Sequence, residues 1–252
     1  MSNYEDVLYE TVGRTAIITI NRPTKYNAFR PRTVVELIDA FQQAGWNRDI
    51  GSVVFTGAGT KAFCTGGDQS DHSGGQYGNN DARGAVGMPA EELHSVIRDI
   101  PKPVIAKVRG YAIGGGNVLC TLCDMTIASD NAIFGQVGPK MGSVDPGFGT
   151  AYLARVVGEK KAREMWYMCK RYHAKEALDM GLQCRGTRRG AGCRSAALVR
   201  RAEHAQSDGH RLGQEEFQCR HRIHPRHGPA RDAGAAAVLQ HRRVAGRCEG
   251  AE

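Results

Sequence analysis

Two glycine-bearing turns are the places in this chain where the backbone itself can do chemistry. Gly114, Gly115 and Gly116 follow an apolar run, Val104-Ile-Ala-Lys-Val108, that reads as a buried strand. They precede Val118, Leu119, Cys120 and Leu122, apolar enough for a buried helix. Three successive glycines fill no core; they permit close backbone approach or positive φ at a strand-to-helix junction. The first amides of such a helix have no intrahelical acceptor, so they can bind developing negative charge. A second glycine turn, Gly66-Gly67, ends the short strand in Ala62-Phe-Cys-Thr-Gly-Gly-Asp68. Two such turns suggest a two-donor oxyanion hole; the alternative is two unrelated packing turns. The G-x-G-x-x-G spacing of a dinucleotide fingerprint fails here.

The elements that must position these turns alternate between strand and helix. Thr15-Ala-Ile-Ile-Thr-Ile20 and Ser52-Val-Val-Phe-Thr56 are β-branched strands. Between them, Pro31 suits a helix start, and Val34, Leu37, Ile38 and Phe41 follow at i, i+3, i+4 and i+7. Residues 70–90 are polar, glycine-rich and aperiodic, and read as a long mobile loop. Leu93, Val96, Ile97 and Ile100 mark another helix, stopped by Pro101 and Pro103. Met125-Thr-Ile-Ala128 and Ala132-Ile-Phe134 read as strands and residues 135–149 as a loop. Helices are expected over 152–157, 160–169 and 174–180, with Gly181 as the last stop. The pattern predicts an α/β architecture.

Composition sets the outer bounds. The 252 residues suit one large domain or a domain with an appendage. No apolar run approaches the roughly 20 residues that span a bilayer, and the first residues lack a signal-peptide layout. Eight cysteines without secretory context read as reduced thiols, so the expected location is cytoplasmic. No Cys/His spacing fits a zinc site.

The formal charge of +8 is uneven. Residues 1–182 carry 20 Lys and Arg against 19 acids; residues 183–252 carry 14 Arg, no Lys and 7 acids. Only eight residues of that tail are Leu, Ile, Val, Phe or Met, too few to offset the entropy of ordering it. Leu182 therefore closes a core, residues 1–182, and an anomalous, poorly ordered Arg-rich tail follows, residues 183–252. Fourteen arginines could contact phosphates, but the tail lacks interleaved aromatics and motif spacing, which argues against a nucleic-acid-binding arm.

Residues 5–182 resemble the crotonase (enoyl-CoA hydratase/isomerase) superfamily. The resemblance rests on Asn21-Arg-Pro23 with Asn27-Ala28, Ala62-Phe-Cys-Thr-Gly-Gly-Asp68, Pro101-Lys-Pro-Val104, Gly110-Tyr-Ala-Ile-Gly-Gly-Gly116, Cys123-Asp124 and Ile133-Phe-Gly-Gln136. It implies a spiral of ββα units, assembly as trimers or hexamers, and an acyl-CoA substrate whose thioester enolate is held by two backbone amides. By position these are the amides of Gly67 and Gly115. No separate cofactor is implied, since coenzyme A is part of the substrate. The resemblance also puts Lys25, Tyr26, Asn27 and Ala28, beside Thr65, Gly66, Asp68 and Gln69, on the CoA-binding surface, and Gln136 and Gly138 against the acyl group. Lys25 reads equally well as a solvated turn charge.

The resemblance puts the hydratase glutamates at Val118 and Gly138, which argues against simple enoyl-CoA hydration. Phe134-Gly-Gln-Val-Gly-Pro-Lys-Met-Gly-Ser-Val-Asp-Pro-Gly-Phe148 is similar to the branch containing 2-ketocyclohexanecarboxyl-CoA hydrolase and 1,4-dihydroxy-2-naphthoyl-CoA synthase. Gln69-Ser70, Gly116-Asn117 and Trp166-Tyr-Met-Cys-Lys-Arg171 lean to the hydrolase; the synthase usually has Trp at Phe148 and Gly at Pro146. The implied reaction is hydrolytic (retro-Claisen) opening of an alicyclic β-keto acyl-CoA ring to pimeloyl-CoA, as in benzoate degradation. The alternatives are the ring-closing synthase and a generic hydratase or isomerase. Asp145 with Ser143 is expected to orient the water; without the family context, Asp145 reads as a helix cap or turn residue. His94 lies on a helix beside apolar neighbours and reads as structural, and His72 sits in the 70–90 loop, from which it could approach the acyl group.

In this family the C-terminal residues build helices over the acyl pocket, and nothing of them is legible after Leu182. Plausible GC-rich codons for residues 232–241, read one base later, encode a segment similar to the family's C-terminal helix. Gly186-Thr187 likewise permits a common family segment in the shifted frame. A reading frame shifted near Leu182 is the expectation, and resequencing the gene tests it.

Overall fold

The structure is a computed structural model that describes residues 4–69, 88–143, 145 and 147–184. The expected loop at 70–90 falls almost wholly outside the described residues, with His72 and Ser70. So do the tail readings from residue 185 onward, and the side chain of Pro146.

Among the described residues, nine strands form two sheets. In the first, β1 (Val7–Val12) pairs antiparallel with β2 (Thr15–Ile20), and β3 (Ser52–Gly57), β5 (Val104–Val108) and β7 (Met125–Ala128) add in parallel, in the order β1-β2-β3-β5-β7. The second runs β4-β6-β8-β9, from β4 (Ala62–Cys64), β6 (Tyr111–Ile113) and β8 (Ile133–Gly135), all parallel, to β9 (Arg171–His173), antiparallel. Each turn of the chain lays one strand in each sheet and then a helix. β3 and β4 lead to α2 (Ala90–Asp99), β5 and β6 to α3 (Gly115–Leu122), and β7 and β8 to α4 (Gly138–Met141). This is the ββα spiral that the resemblance implies.

The strand runs were readable because the parallel strands are buried on both faces and so are apolar throughout. All six residues of β3 are buried. α1 (Pro31–Trp46) starts on its proline and buries Val34, Leu37, Ile38 and Phe41. Phe41, Phe55 and Phe63 interlock edge to face, with centroids 5.2 Å apart at both contacts, and tie α1 to both sheets. The carboxyl end of α1 is closed by buried Lys102, whose ammonium donates to the carbonyls of Ala44 and Asn47.

Three differences from the sequence reading matter for the site. The glycine run does not join β5 directly to a helix, because β6 intervenes. The expected loop at 135–149 contains α4, and α5 (Gly149–Val157) begins three residues before the expected helix. The core also continues beyond Leu182, against β7 and against α7 (Ala174–Asp179), which follows α6 (Glu159–Met168) and β9. The Gln183 side chain donates to the Ala174 carbonyl and accepts from the Ala128 amide (3.2 Å), and the Cys184 amide donates to the Thr126 carbonyl (2.7 Å).

Helix α3 crosses directly over β4. A Cβ on Gly116 would lie 2.0 Å from the Cys64 carbonyl oxygen, which is backbone and cannot swing aside. Gly116→Ala is therefore expected to lower unfolding free energy by about 2–3 kcal/mol or to prevent folding. A thermal melt matching the wild type would contradict this packing.

Candidate active site

The two glycine turns lie side by side. Gly66 (φ +90°) ends β4, and Gly114 (φ +57°) turns the chain from β6 into α3. The Phe29 amide donates to the Gly66 carbonyl (2.9 Å) and the Asp68 amide to the Phe29 carbonyl (2.8 Å). This parallel bridge uses Gly66 and Asp68, so the N–H of Gly67 between them points away from it. The Gly114 amide donates to the Gly135 carbonyl (2.9 Å). Gly115 is the first helical residue, where the N–H has no intrahelical acceptor. No acceptor among the described residues takes either the Gly67 or the Gly115 N–H.

Both glycines open into one cavity of about 180 Å³. Of the residues expected at the site, Thr65, Gly66, Gln69, Gln136, Gly138, Ser143 and Asp145 line it as well. Val118 forms part of its wall. Gly138 is closely enclosed: a Cβ there would be 3.0 Å from the Ser143 carbonyl oxygen and 3.3 Å from the Trp166 ring.

Asp145 caps a helix, one of the two readings that the sequence left open. Its Oδ2 accepts from the Thr150 amide (2.7 Å) and its Oδ1 from the Gly147 amide (3.3 Å), so it fixes the start of α5. The same carboxylate faces the cavity, and its oxygens have further lone pairs to offer.

Lys25, Tyr26, Asn27, Ala28 and Asp68 are placed differently, since none of them lines this cavity. Asn27 is buried in a left-handed conformation (φ 55°); its Oδ1 accepts from the Arg22 amide (3.0 Å) and its Nδ2 donates to the Ala58 and Ala62 carbonyls (2.9 and 2.8 Å). Asp68 is buried against the Arg22 guanidinium at 2.8 Å. These side chains shape the 22–28 turn and fasten it to the Gly66-Gly67 turn. Lys25 and Tyr26 stand exposed on its outer side, where Thr65 Oγ1 donates to the Tyr26 carbonyl (3.3 Å).

A family model described as enoyl-CoA hydratase/isomerase matches residues 10–186. The chain belongs to this family. Solved structures agree with that fold. A Magnetospirillum magneticum enoyl-CoA hydratase/carnitine racemase is 26% identical with a TM-score of 0.77, over 86% of this chain and 81% of its own. A Bacillus anthracis enoyl-CoA hydratase is 27% identical, TM-score 0.77, over 84% and 82%. Pseudomonas aeruginosa DspI is 26% identical, TM-score 0.78, over 87% and 83%. Among the described residues, no helix of this family member is long and apolar enough to cross a membrane.

His94 is the residue that sequence reasoning placed in a structural role and that the fold brings to the cavity. It sits on the buried face of α2 with Ala90, Leu93 and Ile97. Its Nδ1 accepts from the Phe148 amide (3.3 Å). Burial pushes its pKa down to about 4, against the opposing pull of the Asp145 charge. The legible signal was an ionisable residue inside the apolar stripe of a helix. Trp166 and Phe29, also in the wall, carried no signal beyond their size.

A histidine kept neutral in the fold makes stability depend on pH. Above about 6.5 neither state is protonated and the contribution is complete; as pH falls from 6.5 towards 4 the unfolded chain takes up the proton first and stability is lost. The loss is expected to be on the order of 3 kcal/mol. Melting curves of wild type and His94→Gln from pH 7 to 4 should converge as the pH falls, because the variant lacks this term. A gap that stays constant would contradict it.

Proposed function

We propose that this chain hydrolyses the ring of an alicyclic β-keto acyl-CoA, converting 2-ketocyclohexanecarboxyl-CoA to pimeloyl-CoA. The observation that carries the reading is the exchange of chemical groups around the amide pair. The positions matching the hydratase glutamates hold Val118 and a closely enclosed Gly138, while Asp145 and Ser143 line the same cavity. A pocket with amide donors and one carboxylate, but neither glutamate, suits enolate chemistry other than hydration.

In this reading the thioester carbonyl accepts from the Gly67 and Gly115 N–H groups. Each donor is worth about 3 kcal/mol when it meets developing charge in a dry site. Asp145, with Ser143, orients a water molecule against the ring ketone and removes one of its protons as the oxygen attacks. The resulting alkoxide collapses and the bond between the ketone carbon and the α-carbon breaks. The electron pair moves into the thioester carbonyl as an enolate, and the ketone becomes a carboxylic acid. The proton held by Asp145 then returns to the α-carbon. Water is consumed and no cofactor is needed.

A carboxylate pinned by two amides is a positioned base whose geometry survives loss of its charge. The exposed Lys25 is the proposed cation for the CoA phosphates, and a homotrimer or hexamer is the assembly proposed for a chain with the family's intact C-terminus. Incubation with 2-ketocyclohexanecarboxyl-CoA is expected to yield pimeloyl-CoA, and o-succinylbenzoyl-CoA to remain unclosed; the reverse outcome would assign the synthase reaction instead. Asp145→Asn, which retains an oxygen for the Thr150 amide, is expected to lower turnover by about 100-fold or more with an unchanged far-ultraviolet spectrum. Near-normal turnover in that variant would sink the mechanism.

A further inference from the structure

Ring cleavage by water places negative charge on two oxygens in succession. The enolate oxygen of the thioester comes second and has the two amides. The ketone oxygen comes first, when water adds to it, and neither amide can serve both atoms at once.

We propose that His94 supplies the missing donor, its Nε2–H binding the ring-ketone oxygen as that oxygen becomes an alkoxide. This rests on the ring-cleavage reading. The assignment comes from how the imidazole is held. The Phe148 amide donates to Nδ1 at 3.3 Å, so in the neutral ring the proton resides on Nε2. The ring cannot turn easily: a Cβ on Gly147 would fall 2.1 Å from Nδ1 and 2.8 Å from Cε1, so the backbone lies flat against that edge. Nε2 has no acceptor among the described residues, and His94 is part of the wall of the cavity that holds both glycine amides.

Two other donors in that wall are less suited. Trp166 lines the cavity, but its indole nitrogen is itself buried, without a partner among the described residues. Ser143 is already assigned to the water.

Neutrality suits the role. Burial disfavours the imidazolium, so His94 does not form a fixed ion pair with Asp145 that would occupy the base. It keeps its proton throughout, stabilising the alkoxide by hydrogen bonding alone, and the proton balance of the reaction is unchanged. A neutral imidazole serving as a hydrogen-bond donor to a carbonyl is an established catalytic device.

Two variants separate this role from packing. His94→Asn keeps an acceptor near Nδ1 for the Phe148 amide but has no N–H at the Nε2 position; His94→Gln places an amide N–H there. Two reactions are measured for each: cleavage of 2-ketocyclohexanecarboxyl-CoA, and deuterium exchange at the α-carbon of pimeloyl-CoA in D2O, which needs the amides and Asp145 but no ketone donor. His94→Asn is expected to cleave about 100-fold more slowly while exchange stays within about threefold of wild type, and His94→Gln to cleave within about tenfold of wild type. Parallel loss of cleavage and exchange, cleavage by His94→Asn within threefold of wild type, or a His94→Gln no faster than His94→Asn would overturn the role. Wild-type enzyme that fails to cleave the ketone would overturn the ring-cleavage reading itself, and the role of His94 with it.

Discussion

A Cβ on Gly66 would meet the Gly115 amide nitrogen at 3.0 Å, and one on Gly115 would meet Gly66 Cα at 3.2 Å and the Phe29 ring at 2.7 Å. Two turns from different sheet strands therefore touch through backbone alone. The contact sets the spacing of β4 and β6, the start of α3 and the direction of two N–H groups. It exists because the second sheet is parallel at this point, so successive turns of the spiral deliver their strand ends to the same edge. Catalytic geometry and fold geometry are here the same few atoms.

A buried ionic network keeps that arrangement in place from outside. Arg22 contacts both Asp68 (2.8 Å) and Asp6 (3.6 Å), and Asp6 accepts from Arg30 Nε (2.7 Å) and Thr33 Oγ1 (2.6 Å). Burial works against the Asp6 charge, yet the hydrogen bonds of Arg30 and Thr33 and the two guanidinium charges outweigh it and hold the carboxyl below its usual range. Such a network adds little net stability over an apolar core. What it contributes is register: β1, the 22–28 turn, α1 and the Gly66-Gly67 turn are locked to one another.

Much of this was legible in the chain, and the physics says which parts. Long apolar β-branched runs announce parallel strands, and the i, i+3, i+4, i+7 spacing announces α1. Strands of three residues, such as β6 and β9, carry too few side chains for a period, and α4 hides in a segment rich in glycine and proline. Asn27 and Asp68 were recognised as motif residues, but burial and partners, which composition does not encode, make them framework. His94 was assigned to packing because its helix neighbours are apolar; the cavity wall depends on what β4, α3 and α5 bring opposite it. The composition break after Leu182 is real, yet Gln183 and Cys184 still form sheet-edge and core contacts.

The proposed oxyanion hole is built from main-chain donors, and every residue type except proline has the same N–H. Mutation of side chains around it can alter what reaction the enolate undergoes without dismantling the group that makes the enolate affordable. Ser143 and Asp145 are the polar side chains of the cavity wall that such changes would reach, while Gly66, Gly115 and Gly116 are fixed by contact distances. In the proposed reading, a fold organised in this way separates an electrostatic function held in backbone shape from a chemistry held in a handful of side chains.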